Sequence, residues 1–298
     1  MRIIVTGASG FIGQKLCCAL LERGHEIVAL CRTGILVNAD HIRSYRHIPY
    51  VIGDLLPLEV EKFSPEALVH LAWDGIPDFS QDKCIDNLES QIRFFKQTEK
   101  FTRLKKIVGA GTCREYGFKQ GACIESDCIK PDSYFAWAKQ ALSEFLSIFC
   151  QQKQILLVWF RIFYIYGPGQ RNESLIPSLI RANNSKQFPD IRNPVAANDY
   201  VYIDDVVSAF VKGIEDPDCH GTFNLGSGNL TTVAKIAKIV ELMMQNDEQF
   251  LDQSSLKMDE CETNAGMCAD ITLASHQLNW SPQISLFEGI RRSIRASL

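Results

Sequence analysis

Through the first half of the chain, short β-branched apolar runs alternate with longer stretches in which apolar residues recur at helical spacing. The runs at 3–6, 26–31, 50–52, 67–71, 106–109 and 155–160 have the length and branching of buried strands. This alternation predicts βαβ units and a parallel sheet. Between the strands, periodicity predicts helices at 10–22, 82–100 and 133–150. In the first of these, Phe11, Ile12, Leu16, Ala19 and Leu20 share a face and leave Gln14, Lys15 and Glu22 outward, as in a helix with one side on a sheet. The apolar run from Ile155 to Tyr166 is shorter than a bilayer span and is broken by Arg161, so it reads as a buried strand and not as a membrane segment.

After Tyr166 the texture changes. Residues 167–174, GPGQRNES, form a glycine-proline loop, followed by a predicted helix at 174–182 and a polar stretch to Asn198. A strand at 201–203 and a helix from Asp204 are expected to return to the first half, and a further helix is predicted at 231–244. Residues 246–262 are the segment expected to be most mobile. Asp204 and Asp205 stand where a helix begins, so capping and the helix dipole account for them.

Composition narrows the class. The chain has 298 residues, 46% hydrophobic and 22% charged, which suits one large or two closely joined globular domains. Lys+Arg number 31 against 35 Asp+Glu, a net charge of -4, so the basic excess that phosphate-backbone binding requires is absent and no nucleic-acid partner is expected. The N-terminus MRIIVTGASG lacks the basic leader and long apolar core of a signal peptide, and a cytoplasmic protein with no membrane partner is expected. The 11 cysteines are odd in number and scattered, several of them (Cys17, Cys18, Cys31, Cys150) inside apolar segments, which favours reduced thiols. Cys113, Cys123 and Cys128 have no histidines at zinc-like spacing, so no metal is expected.

The chemistry concentrates at the first strand-to-helix turn, where Gly7, Gly10 and Gly13 recur every third residue around Phe11 and Ile12. In such a turn the first glycine makes the bend, the second lets backbone approach a pyrophosphate, and the third allows the helix close to the strand. At the end of the second strand, where an acidic side chain would bind the ribose 2′-hydroxyl of NAD, the chain reads Cys31-Arg32-Thr33. A guanidinium there suits a 2′-phosphate, so NADP(H) is favoured over NAD(H).

Taken in order, TGASGFIG (6–13), GDL (53–55), HLA (70–72), Thr112 before Tyr116-Gly117, Lys139, Arg161 before YGPGQ (166–170), YIDDV (202–206) and FNLGSG (223–228) resemble the extended short-chain dehydrogenase/reductases. These are the NAD-dependent epimerases and dehydratases of nucleotide sugars. The resemblance implies a Rossmann-type doubly wound α/β fold. Residues 1–166, with a return segment near 199–225, would form the cofactor domain and 167–298 mainly a smaller C-terminal substrate-binding domain. It also implies hydride transfer at a sugar carbon, with Thr112 orienting the sugar oxygen and Lys139 holding the nicotinamide ribose. Asp54 and Leu55 would border the adenine, and Leu71 and Ala72 the ribose and pyrophosphate. Asn87 resembles the family's supporting helix asparagine, and His70 reads as structural. Arg161 and Arg192 are candidates for the substrate diphosphate, each against a plainer reading, ion pairing for Arg161 and a solvated loop for Arg192.

Two positions depart from the family pattern. Its tyrosine lies four residues before the lysine, and that position is Phe135; Tyr134 lies five before. At about 100° per residue, side chains four apart stand about 40° from each other on a helix and those five apart about 140°. Proton transfer would then fall to Thr112 through water, to Cys113, or to Tyr134 brought inward by a distorted first turn. The Asp-Glu pair of the 4,6-dehydratases is replaced by Cys113-Arg114, which argues against that elimination chemistry, although Glu115 is one position further.

The expected function is 4-keto reduction or epimerisation of a nucleotide-activated deoxysugar for surface polysaccharide. A variant dehydratase that does not need the tyrosine, and an inactive NADP-binding sensor or scaffold, stay open as alternatives. A homodimer through the helices at 82–100 and 133–150 is expected by analogy, with Phe94, Phe95, Phe145, Leu146 and Phe149 as apolar surface.

Overall fold

The computed structural model describes residues 1–34, 43–186, 191–245 and 266–297. The chain begins with β1 (Arg2–Thr6), α1 (Phe11–Glu22), β2 (Glu26–Cys31), β3 (Tyr45–Pro49), α2 (Leu58–Phe63), β4 (Ala67–His70) and α3 (Gln81–Gln97). It continues through β5 (Lys106–Thr112), β6 (Gly121–Cys123), α4 (Tyr134–Lys153), β7 (Leu156–Ile162), β8 (Tyr164–Tyr166) and α5 (Leu175–Asn184). The last part comprises β9 (Ala197–Tyr202), α6 (Ile203–Glu215), β10 (Gly221–Leu225), β11 (Leu230–Thr232), α7 (Val233–Met244), β12 (Met267–Ala269), α8 (Thr272–Gln277) and α9 (Leu286–Arg295).

Seven parallel strands form the central sheet in the order β10-β7-β5-β4-β1-β2-β3. The order reverses on either side of the β1/β4 pair, the arrangement of a Rossmann-type doubly wound sheet. Successive residues of each inner strand feed two different cores. Ile3, Val5, Val69, Val108 and Phe160 face the layer of α1 and α6, while Ile4, Leu68, Ile107 and Trp159 face that of α3 and α4. Burial on both faces is why these strands read as continuous apolar runs. Smaller sheets, β11-β9-β8 and β12-β6, lie outside the central one.

Several expectations need correction. The strand expected at 50–52 is β3 at Tyr45–Pro49; it is an edge strand paired only with β2, which tolerates the polar sequence YRHIP. The run to Tyr166 is two strands: β7 ends at Ile162 and β8 leaves for the small sheet. The strand expected at 201–203 is β9, which also joins the small sheet, so the return to the large sheet is made by α6 and β10. The helix expected to reach residue 100 ends at Gln97 and tightens into a 3₁₀ turn. Residues 246–262 lie outside the described residues.

The apolar residues expected at a dimer face belong to the core. Phe94, Phe95, Leu146 and Phe149 are buried against Ile4, Leu68 and Trp159 of the chain's own sheet, with Phe145 packed beside them. Two acidic side chains tie the C-terminal part down. Asp199 accepts from the backbone of Ser227, Gly228 and Ala269, and Asp205 from Gln283 and Ile284.

Candidate active site

β1 ends in a turn where Gly7 takes φ +66, a backbone region that favours glycine. A Cβ there would lie 2.8 Å from Ala72 N, so the turn presses against the end of β4. A Cβ on Gly13 would lie 2.3 Å from Gly7 O, which fixes α1 tightly on the turn. At Gly10, by contrast, the nearest atom is Gly7 O at 3.1 Å. Gly10 also heads α1 without a side-chain cap, and the first turn carries no acidic residue. Free N–H groups at a helix start, reached past glycine, make an anion cradle.

The cradle opens into a cavity of about 1000 Å³ at the carboxyl ends of β1, β2 and β4. Gly7, Gly10, Phe11, Ile12, Gly13, Arg32, Leu71 and Ala72 all line it. The geometry fits a dinucleotide, in place and in shape. Asp54 and Leu55 do not line it, contrary to expectation. The chain turns at 51–54, with Asp54 N on Val51 O at 3.1 Å, and leaves Leu55 88% exposed. Tyr50, Val51 and Ile52 supply that wall instead.

Beneath the cavity a buried hydrogen-bond chain holds the end of β4. His70 Nε2 meets Gln91 Oε1 at 2.8 Å, and since that oxygen only accepts, Nε2 carries the proton. His70 Nδ1 then accepts from Thr6 Oγ1 at 2.9 Å, whose oxygen accepts from Leu71 N at 3.3 Å. Burial drives the imidazole pKa down to about 3, so His70 is a neutral strut. Asn87 supports the next segment: its Oδ1 accepts from Asp74 N at 2.8 Å and its Nδ2 donates to Asp74 O at 3.0 Å. Asp74 in turn pairs with Lys83 and, at 2.9 Å, with Arg32.

Lys139 is buried on α4 and donates to Ala110 O at 2.8 Å. Its ammonium lies 4.8 Å from the centroid of Trp73, a residue directly after the HLA motif that sequence reasoning passed over. Burial lowers the Lys139 pKa to about 8, with the Glu115 charge opposing the drop. Phe135, on the first turn of α4, packs edge-on against Trp73 at 5.0 Å and against Phe79 at 4.7 Å. Tyr134 is half-exposed and is not part of the cavity wall. Helical spacing therefore gives the inward place to Phe135.

Thr112 ends β5 and caps the turn that follows, accepting from Arg114 N at 3.3 Å, while its own N–H donates to Glu115 Oε1 at 2.9 Å. Cys113 is 3% exposed and burial pushes its thiol up to about 12, which corrects the expectation of a titrating donor. Arg161 is likewise not available to a diphosphate. It is buried with Nε on Glu115 Oε2 at 2.8 Å and Nη1 on Tyr116 Oη at 3.0 Å. Tyr116 Oη donates onward to Asn224 Oδ1 at 2.8 Å, and burial raises its pKa to about 12. Arg192 is exposed. Gln170, the last residue of the YGPGQ motif, also lines the cavity, with Arg171 beside it and Lys83 of α3; those last two carried no motif, because residues so far apart in the chain share no period.

All ten described cysteines are free and only Cys128 is exposed. Among the described residues no helix is long and apolar enough to cross a membrane, and no group of three His, Cys, Asp or Glu could hold a metal.

A family model described as the NAD dependent epimerase/dehydratase family matches residues 3–226. The chain is 26% identical over 311 residues to dTDP-4-dehydro-6-deoxyglucose reductase of Escherichia coli, covering 99% of this chain and 96% of the relative. It is 28% identical over 240 residues to dTDP-6-deoxy-L-talose 4-dehydrogenase (NAD(+)) of Aggregatibacter actinomycetemcomitans, covering 76% and 85%. Among solved structures, UDP-glucuronic acid 4-epimerase from Bacillus cereus in complex with NAD superposes with a TM-score of 0.83 at 23% identity, covering 99% and 98%.

Proposed function

The chain belongs to the NAD dependent epimerase/dehydratase family and is an enzyme of it; on that premise we propose that it reduces or epimerises C4 of a nucleotide-activated deoxysugar. The curated relatives named for dTDP-deoxysugar reduction and dehydrogenation support the substrate class. Surface polysaccharide is the proposed destination. The cytoplasm, where free thiols persist, is the proposed compartment.

The observation that carries the proposal is the glycine-lined cavity with Lys139 bonded to its wall at Ala110 O, 2.8 Å. Gly7, Gly10 and Gly13 would hold the pyrophosphate against the start of α1, and Leu71 and Ala72 the adjoining ribose. A bound nicotinamide would supply or accept the hydride at the sugar carbon. Thr112 would orient the sugar oxygen. Arg171, in the cavity wall, and Arg192 are the arginines proposed for the substrate diphosphate. The dinucleotide is proposed to be NADP(H), supported by Arg32 at the end of β2, although Asp74 shares its charge at 2.9 Å. A homodimer is proposed with the exposed Trp137 and Ile148 of α4 at its contact.

The test is to incubate purified protein with NADPH or NADH and a panel of nucleotide sugars, 4-keto-6-deoxy sugars for reduction and 4-hydroxy sugars for epimerisation, following absorbance of the reduced nicotinamide in the first case and the C4 epimer by chromatography in the second. Oxidation dependent on one sugar is expected. Tight cofactor binding with no turnover on any sugar, in either direction, would sink the reading.

A further inference from the structure

The carboxylate that β2 lacks at its end is supplied from another strand. Asp74, which follows β4, places Oδ1 2.9 Å from Nη1 of Arg32, which follows β2. Thr6, the last residue of β1, is paired with Leu30 of β2 on one side and with His70 of β4 on the other. The two side chains therefore meet across the end of β1, over two strand spacings or roughly 10 Å of sheet. Both line the cavity into which the glycine turn opens.

The two members of this pair are not held alike. Asn87 bonds the N–H and the carbonyl of Asp74, and Lys83 of α3 takes its other carboxylate oxygen. The bond from Lys83 keeps the Asp74 carboxyl below the usual carboxylate range, so it is charged at neutral pH. The Arg32 side chain, by contrast, is 70% exposed on a long flexible stem, which makes it the member that can swing away.

Resting on the reading of Arg32 as the group that meets a ribose 2′-phosphate, we propose that Asp74 is a specificity-determining residue. It competes with that phosphate for the Arg32 guanidinium and so limits the preference for NADP(H) over NAD(H). A 2′-phosphate gains Arg32 only at the loss of an existing ion pair, whereas a 2′-hydroxyl leaves the pair as it is. Discrimination is the difference between those two affinities, and Asp74 lowers one of them alone.

The test is calorimetric titration of NADP⁺ and NAD⁺, without sugar, into the wild type, Asp74→Asn, Arg32→Ala and the double variant. Asp74→Asn preserves the size of the side chain and the backbone bonds to Asn87 while removing the charge. It is expected to bind NADP⁺ about three- to fivefold more tightly, the upper worth of one exposed ion pair, with NAD⁺ within about twofold. In the Arg32→Ala background most of that gain disappears, because no guanidinium is left for Asp74 to hold. NADP⁺ binding no tighter in Asp74→Asn, NAD⁺ tightened equally, or a gain retained in full without Arg32 overturns the proposal. Arg32→Ala neutral toward both dinucleotides defeats the NADP(H) reading and this inference with it. A loss of NADP⁺ affinity in Arg32→Ala with no gain in Asp74→Asn overturns the inference alone.

Discussion

Glu115 and Arg161 form an ion pair at 2.8 Å inside the protein, with the carboxylate side chain fully buried and the guanidinium nearly so. Glu115 also accepts from Trp159 Nε1 at 3.2 Å and from Thr112 N at 2.9 Å. The pair therefore braces the turn that presents Thr112. Removing one partner of a buried pair strands the other charge, at about 3–5 kcal/mol. Arg161→Ala is expected to lower the urea midpoint by that much stability at unchanged slope, and a midpoint equal to the wild type would contradict the pairing.

Gly13 has no room for a side chain. Its Cβ would meet Gly7 O at 2.3 Å and Ala8 Cα at 2.8 Å, both backbone atoms that cannot swing aside. Gly13→Ala is expected to push α1 off the turn, with about 1–3 kcal/mol of lost stability. Dinucleotide affinity should fall at least about tenfold, or 1.4 kcal/mol. Thermal melts and a binding titration check both.

Asn87 holds Asp74 by both its N–H and its carbonyl, at 2.8 and 3.0 Å. Asn87→Ala leaves those backbone groups without their partner, a loss of about 1–3 kcal/mol. The Michaelis constant for cofactor should rise more than the turnover number falls, which steady-state kinetics will show.

Arg32 tests the cofactor proposal. Arg32→Ala should weaken NADP⁺ binding by about tenfold or more, the loss of a charge-assisted contact, and leave NAD⁺ within about twofold. Equal losses for both dinucleotides would place Arg32 outside the 2′-phosphate site.

Lys139 gives a stability signature with a defined sign. Its folded pKa of about 8 lies below the ordinary 10.5, so between those values the unfolded chain binds more protons. The cost of burying the ammonium is present in full below pH 8 and is relieved as pH climbs toward 10.5. Relative to Lys139→Met, the wild type should therefore gain about 2–3 kcal/mol across that interval, by about 1.4 kcal/mol per pKa unit. Denaturant unfolding of both proteins at pH 7 and pH 10 measures it; a flat difference would deny the shift.

The amino-acid sequence determined the parallel sheet, the glycine turn and the inward place of Phe135. Each depends on local order: alternation along a strand, glycines every third residue, and about 100° per helical residue. Asn87, read as a support for backbone, is bonded to Asp74, and His70, read as structural, is held between Thr6 and Gln91. Tertiary structure decided the rest, because it rests on contacts between residues distant in the chain. Arg161 of β7 reads equally as a diphosphate ligand or an ion-paired residue until Glu115, in the turn after β5, takes up its guanidinium inside the protein. Edge position made the third strand polar and hid it from an apolar pattern. The turn at 51–54 carried Asp54 and Leu55 away from the cavity. Trp73 and Lys139 meet only because β4 and β5 lie side by side, and no spacing along the chain encodes that meeting.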